Sequence, residues 1–216
     1  HRSAGLGVTD MDKVELSVAD IEALLAWRDQ HQNEVRSHPA PLKAVEIVMP
    51  HNGYCIKGIR DGQRLRLHLR QWNTQLGNCE FVRRPDGMWA SVKNRMKVEK
   101  DDLQSVLTVY CSVMALMAYG RREKPDQEEP REIRQKSPHQ KRQMKKQGKR
   151  TTYILRSING TLSTVPRGSH ASPSGIFTVR GHYRHYKSGK VVWVDEYKKG
   201  TGKQKGKTYK IGGDKK

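Results

Sequence analysis

The chain has 216 residues, which is enough for one medium-sized domain or two small ones. Only 34% of the residues are hydrophobic and 30% are charged, so the core is modest and part of the chain is expected to have none. The formal net charge of +20 says little about the fold, but it favours polyanionic partners such as nucleic acid, ribosomes or anionic membranes.

The positive charge is concentrated in the C-terminal half. Residues 1–120 contain 16 Lys and Arg against 14 Asp and Glu, a net charge of +2. Residues 121–216 contain 26 against 8, a net charge of +18. Seven of those cations lie in residues 136–150, which have no acidic residue and almost no apolar one, so we predict a basic linker over 121–150.

The three cysteines, Cys55, Cys79 and Cys111, are an odd number without CxxC spacing. This pattern argues against a disulfide framework and against a zinc ribbon. It favours free buried thiols in a reducing cytosol. The N-terminus shows no signal-peptide pattern, so we expect a cytoplasmic protein.

Residues 13–120 are predicted to form an α+β domain after a disordered stretch over 1–12. Ser17 and Asp20 have the spacing of a capping box, and apolar residues follow at helical intervals, which predicts a helix over 17–35. Beyond it, alternating apolar and polar residues predict an antiparallel meander with turns at Asp61-Gly62 and at 84–87.

Two features of this first domain have competing interpretations. The alternation over 64–70 gives one apolar face and one cationic face, which is either solvated or touches RNA. The segment 103–119 is the most apolar in the chain, with Asp101 and Asp102 before it and Gly120 after it. Its polar residues favour a core helix packed on the sheet over a membrane span, and we predict no membrane partner.

Residues 151–216 are predicted to form a small basic β-rich unit. The apolar runs 153–155 and 191–194 each predict a strand, and 176–179 is a further short apolar run. Residues 198–210 are interpreted as a Gly/Lys tail. With so few core-forming side chains, this unit is expected to lean on the first domain or to become ordered on its partner.

The segment VRGHYRHYKSGKVVWV, from Val179 to Val194, mixes cations with aromatic rings. Lys and Arg contact phosphates, and aromatic rings stack on bases, which suits single-stranded or structured RNA. Trp193 and the neighbouring valines also fit a small core. The predicted RNA-binding residues are Arg180, Arg184, Lys187, Lys190, Tyr183, Tyr186, Trp193, Lys198 and Lys199.

The histidines of this segment allow two further interpretations. His182 and His185 supply the residue type that a metal-independent ribonuclease uses as acid and base, with Arg184 and Lys187 to hold the phosphate. With His170 they also suggest a zinc site, but the surrounding cations would repel a dication. We predict no metal and no cofactor, and we leave the question of catalysis open.

The run Arg180-Gly181-His182-Tyr183, followed by Tyr186, Gly189 and the apolar residues 192–194, resembles the C-terminal end of a type V anti-CRISPR family encoded by phages and plasmids. The resemblance implies a protein that acts in the cytoplasm of a bacterial host cell. It also implies that residues 13–120 recognise the newly made CRISPR effector polypeptide, while the effector's mRNA is lowered.

From the residues and the resemblance together, we expect an RNA- or ribosome-associated protein of a phage or mobile element, with mRNA or ribosomal RNA as its partner. It would inhibit a host defence system at the level of translation or mRNA. One alternative is the ribonuclease. The other is a protein-binding inhibitor whose basic tail is incidental.

Overall fold

The computed structural model describes residues 11–97, 99–123, 151–156, 175–202, 204 and 206–211. The helices are α1 (Val18–Gln30), α2 (Gln32–Ser37) and α3 (Lys100–Tyr119). The strands are β1 (Asp12–Glu15), β2 (Ala44–Met49), β3 (Tyr54–Asp61), β4 (Arg64–Gln71), β5 (Thr74–Arg83), β6 (Trp89–Asn94), β7 (Arg121–Glu123), β8 (Thr151–Arg156), β9 (Phe177–Val179), β10 (His182–His185), β11 (Val191–Val194), β12 (Tyr197–Lys199) and β13 (Lys207–Ile211). Of the predicted disordered stretch and basic linker, residues 1–10 and 124–150 lie outside the described residues.

Nine strands form one sheet in the order β6-β5-β4-β3-β2-β1-β13-β8-β7. The strands β2 to β6 are antiparallel neighbours, whereas β1 pairs in parallel with both β2 and β13. The remaining strands make two small ribbons, β10 with β11 and β9 with β12. The α+β prediction, with an antiparallel sheet, a long apolar helix and a small β-rich C-terminal unit, is confirmed.

The meander follows the alternation of the sequence. In β4 the apolar residues Leu65, Leu67 and Leu69 are buried, and the arginines that alternate with them, Arg64, Arg66 and Arg70, are exposed. Because successive side chains of a strand point to opposite faces, this pattern gives the sheet one apolar face for the helices. The predicted turn at Asp61-Gly62 joins β3 to β4, and Gly62 has a positive φ of 55° that suits glycine.

Helix α3 covers the apolar face of the sheet and forms the centre of the core. Tyr110, Val113, Met114 and Met117 are fully buried. The stretch Asp101–Tyr119 is long and apolar enough to cross a membrane by length and composition, and 61% of it is buried inside the protein. Gly58 on β3 makes the close approach possible, because a Cβ there would lie 2.2 Å from Cε2 of Tyr110.

The prediction of one helix over 17–35 is wrong in one respect. The capping box of Ser17 and Asp20 is present, but the helix ends at Gln30 and a second one begins at Gln32. Between them His31 leaves the helical conformation, with φ of −127° and ψ of 42°. Its ring bonds the carbonyl of Trp27 and stacks on the Trp27 indole, and these contacts stabilise the break.

The interpretation of residues 198–210 as a tail is also wrong, because Lys207–Ile211 lies inside the sheet between β1 and β8. Tyr209 is fully buried and its hydroxyl lies 3.4 Å from Oδ2 of Asp12. The buried Lys207 donates its ammonium to the carbonyl of Thr178 and lies 4.8 Å from the centroid of the Phe177 ring. The hydrocarbon stem of lysine tolerates burial when its charge finds such partners.

Asp12 makes the stability of this arrangement depend on pH. Burial raises the pKa of the Asp12 carboxyl from 3.8 to about 6, although hydrogen bonds from Lys207 N–H and Tyr209 oppose the shift. The folded chain therefore holds the proton more tightly than the unfolded chain. This stabilisation is complete below pH 3.8 and is lost as the pH rises through about 6.

We expect Asp12→Asn, which imitates the protonated carboxyl, to remove on the order of 2–3 kcal/mol of the pH dependence of the free energy of unfolding. Urea denaturation between about pH 4 and about pH 8 measures this. The control is Asp29→Asn on the exposed side of α1, which should leave the pH dependence intact. An Asp12→Asn variant with the pH dependence of the wild type would contradict the assignment.

Candidate nucleic-acid interface

The segment singled out in the sequence forms a β-hairpin of β10 and β11. Tyr183 pairs with Trp193, and His185 pairs with Val191. The turn is closed by the N–H of Tyr186 on the carbonyl of Lys190 and by the N–H of Gly189 on the carbonyl of Tyr186. Gly189 has a positive φ of 80°, so the Ser188-Gly189 pair supplies the turn conformation that the sequence predicted.

One face of the hairpin packs against the end of α3. The ring of Tyr183 stacks on Tyr119 with 5.7 Å between the centroids, and it meets the Trp193 ring edge-on at 5.0 Å. The Trp193 indole donates to Oδ1 of Asp195 over 2.9 Å. Burial and the Tyr119 hydroxyl raise the pKa of Tyr183 to about 12. These two rings are held by the protein itself, in agreement with the small-core interpretation of Trp193.

Three hydrogen bonds fix the hairpin to the first domain. The N–H of Gly181 donates to the carbonyl of Pro41 over 2.7 Å, and Nη2 of Arg180 donates to the carbonyl of Gly120 over 3.1 Å. The N–H of Lys43 donates to the carboxylate of Glu196 over 2.5 Å. Gly181 is required because a Cβ there would lie 2.5 Å from Cζ2 of Trp193. Arg180 is half-buried, and its bond to Gly120 anchors the hairpin.

The other side and the turn of the hairpin present cations to solvent. Arg184, Lys187 and Lys190 are all exposed. The Arg184 guanidinium lies 5.3 Å from the centroid of the Tyr186 ring, which is itself 45% exposed. The four ion pairs found in the described part of the chain all lie elsewhere, so none of them neutralises these three cations. We call Arg184, Tyr186, Lys187 and Lys190 the cationic turn.

Two more of the predicted residues follow shortly after the hairpin. Lys198 and Lys199 are exposed on β12, which begins three residues beyond the end of β11. Lys198 donates to Oε1 of Gln204 over 2.8 Å, a neutral partner that leaves its charge in place. These lysines add to the positive charge of this end of the molecule.

The structure does not bring the two histidines together. His182 and His185 are three residues apart on one strand, so their side chains leave on opposite faces. His182 is half-buried and its Nδ1 lies 3.1 Å from the carbonyl of Arg180, whereas His185 is exposed. Among the described residues no three His, Cys, Asp or Glu side chains form a group suited to a metal, and His170 lies outside them.

The cationic face of β4 has acidic neighbours. In the strand register Arg66 lies beside Glu80, and Arg64 lies beside Asp61. Arg70 forms an ion pair of 3.4 Å with Glu46. Cross-strand pairs of opposite charge are common on a solvated sheet face. We therefore expect this surface to attract phosphates less strongly than the cationic turn does.

The structure predicts that the two tyrosines of the hairpin contribute differently to stability. Tyr183→Ala removes a packed ring and should lower the free energy of unfolding by about 2 kcal/mol, less than the roughly 3–5 kcal/mol of a fully buried aromatic residue. Tyr186→Ala removes an exposed ring and should change it by no more than about 0.5 kcal/mol. Urea denaturation of both variants makes the comparison, and equal losses would contradict the two roles.

Comparisons of this chain with protein-family models, with curated proteins and with solved structures find no match.

Proposed function

We propose that this chain binds RNA through its C-terminal hairpin, with mRNA or ribosomal RNA as the partner. The observation that carries the proposal is the cationic turn: three exposed cations on a hairpin fixed to the core, with no carboxylate partner among the residues that the structure describes. Cations of this kind gain free energy from a polyanion because phosphates release their counterions when they are neutralised. A fixed hairpin also loses little conformational freedom on binding.

The residues of the segment divide into two groups in this proposal. Arg184, Lys187 and Lys190 contact phosphates, with Lys198 and Lys199 extending the contact, and Tyr186 offers its exposed ring to a base. The second group holds the hairpin in place and consists of Tyr183, Trp193 and Arg180. These residues affect RNA binding only by positioning the hairpin. His182 and His185 are left without a catalytic role, since imidazoles on opposite faces of a strand do not flank one phosphate.

We further propose that RNA binding serves an anti-CRISPR-like activity of a phage or mobile element, at the level of translation or mRNA. The support is the resemblance of residues 180–194 to a type V anti-CRISPR family. In this proposal residues 13–120 engage the nascent effector polypeptide and the hairpin engages RNA, in the bacterial cytoplasm. The Gly181–Pro41 and Lys43–Glu196 hydrogen bonds link the two parts of the chain to which these activities are assigned.

Removing the charge of the cationic turn tests RNA binding. The triple variant Arg184→Ala, Lys187→Ala, Lys190→Ala should bind single-stranded RNA more weakly, and the slope of log K against log salt should become shallower by about 2. The control removes three cations from the open face of the sheet: Lys57→Ala, Arg64→Ala and Arg66→Ala. Fluorescence anisotropy with a labelled RNA, read over a salt series, measures both quantities.

The same experiment separates the alternatives. Equal losses of RNA affinity in the two triple variants would indicate that the chain attracts RNA nonspecifically through its net charge. That result would favour a protein-binding inhibitor with an incidental basic tail. Recovery of shortened RNA, prevented by His182→Ala or His185→Ala, would replace the binding proposal with the ribonuclease. We expect the RNA to be recovered intact.

The anti-CRISPR proposal is tested in bacterial cells that express a type V effector. We expect the wild-type chain to lower effector mRNA and protein together, and the cationic-turn triple variant to lose most of this effect. Transcript and protein levels are measured by quantitative PCR and immunoblot, with an unrelated transcript as reference. Unchanged effector levels with the wild-type chain would refute the anti-CRISPR role and leave RNA binding to be judged on its own.

A further inference from the structure

A second concentration of positive charge lies inside the first domain. It contacts segment 36–43, the same segment that holds the hairpin through Pro41 and Lys43. Arg60 on β3 is only 7% exposed, and Arg83 ends β5. Both guanidiniums lie close to the same indole, 5.2 Å and 5.8 Å from the centroid of the Trp89 ring. With Tyr110 and His38 we call these residues the arginine–tryptophan cluster.

Among the described residues, the guanidiniums of this cluster donate hydrogen bonds only to carbonyl groups. Nε of Arg60 donates to Gly62, and Arg83 donates to the carbonyls of Gly87, His38 and Arg36. In the described part of the chain no carboxylate lies within ion-pair distance of Arg60 or Arg83. Two cations this close, one of them buried, are costly unless an anion compensates them.

Several buried polar atoms of the cluster also have no hydrogen-bond partner among the described residues. They are Nη1 of Arg60, Nε2 of His38 and the hydroxyl of Tyr110, on side chains that are at least nine-tenths buried. Because Nδ1 of His38 lies 2.8 Å from the Pro39 carbonyl, it carries the hydrogen and Nε2 is left bare. Burial, together with the charges of Arg60 and Arg83, lowers the pKa of His38 to about 4.

A recess of about 560 Å³ opens from the surface to Arg83, the only residue of the cluster that lines it. The other lining residues are Ser37, Gln63, Arg84, Pro85, Asp86 and Gly87. The volume falls within the range of roughly 300–1,000 Å³ that small-molecule sites occupy. The carboxylate of Asp86 is already paired with Arg84 at 2.8 Å, so it adds little repulsion against an anion.

We propose that the arginine–tryptophan cluster is a binding site for a phosphate group, which enters through this recess. Two guanidiniums balance the charge of a phosphate dianion better than that of a single carboxylate, and their forked donors match its oxygens. Behind Arg83, Arg60 and Tyr110 hold donors that have no hydrogen-bond partner among the described residues. The phosphate is either free or the end of a nucleotide or RNA, and Ser37 and Gln63 line the recess through which it enters.

The site is independent of the RNA contact proposed for the hairpin. Inorganic phosphate titrated into the ¹⁵N-labelled chain should shift the Trp89 Nε1–H resonance to saturation, with matched sodium chloride producing no such shift. Arg60→Gln should weaken phosphate binding at least about tenfold, or 1.4 kcal/mol. The control Arg66→Gln, an exposed arginine of β4, should bind as the wild type does.

Two more arms complete the test. AMP binding tighter than inorganic phosphate would assign the site to nucleotides, and equal affinity would assign it to free phosphate. If Arg60→Gln fails to fold, the wild-type His38 titration decides, because a bound phosphate should raise the pKa of His38 from about 4.

A Trp89 shift that does not saturate, or that chloride reproduces, means an adventitious ion only and overturns the proposal. The cationic-turn triple variant should keep full phosphate binding, so failure of either proposal is read separately.

Discussion

The packing of α3 against one face of the sheet is the contact on which the rest of the molecule depends. Its buried residues, centred on Tyr110, Val113, Met114 and Met117, fill the space above β3, where Gly58 permits the close approach. A chain that is only 34% hydrophobic forms a modest core, and this one helix contributes a large share of it. The same helix ends at Tyr119 and Gly120, which receive the C-terminal hairpin.

Segment 36–43 connects the two regions of functional interest. On one side its carbonyls at Arg36 and His38 accept hydrogen bonds from Arg83, and Lys43 accepts one from the N–H of Arg60. On the other side Pro41 and Lys43 hold the hairpin through Gly181 and Glu196. A short segment with two prolines is well suited to this role because proline restricts the backbone and leaves carbonyls free to accept. The cationic turn and the arginine–tryptophan cluster are therefore positioned by one stretch of chain.

The candidate site shows how far the residue pattern leads. The concentration of cations and aromatic rings in Val179–Val194 identified the hairpin, and Ser188-Gly189 identified its turn. The pattern gave no means of separating Tyr183, which packs on Tyr119, from Tyr186, which is exposed. That distinction depends on which face of the strand meets α3, and α3 lies more than sixty residues earlier in the chain. The sequence did not indicate the arginine–tryptophan cluster, because Arg60 joins Arg83 and Trp89 only through the pairing of β3 with β4 and of β4 with β5.

The sequence by itself determined the features that depend on neighbouring residues. The alternation in β4, the capping box at Ser17, the turn at Asp61-Gly62 and the excess of positive charge beyond residue 120 could all be read locally, because each reflects backbone geometry or composition over a few residues. Only the tertiary structure decided that Lys207–Ile211 is a strand inside the sheet, where the N–H of Lys207 bonds Asp12 across 195 positions of the chain. Residues so far apart in the chain come into contact only in the folded protein, where burial stabilises the contact. No local sequence pattern predicts such a contact.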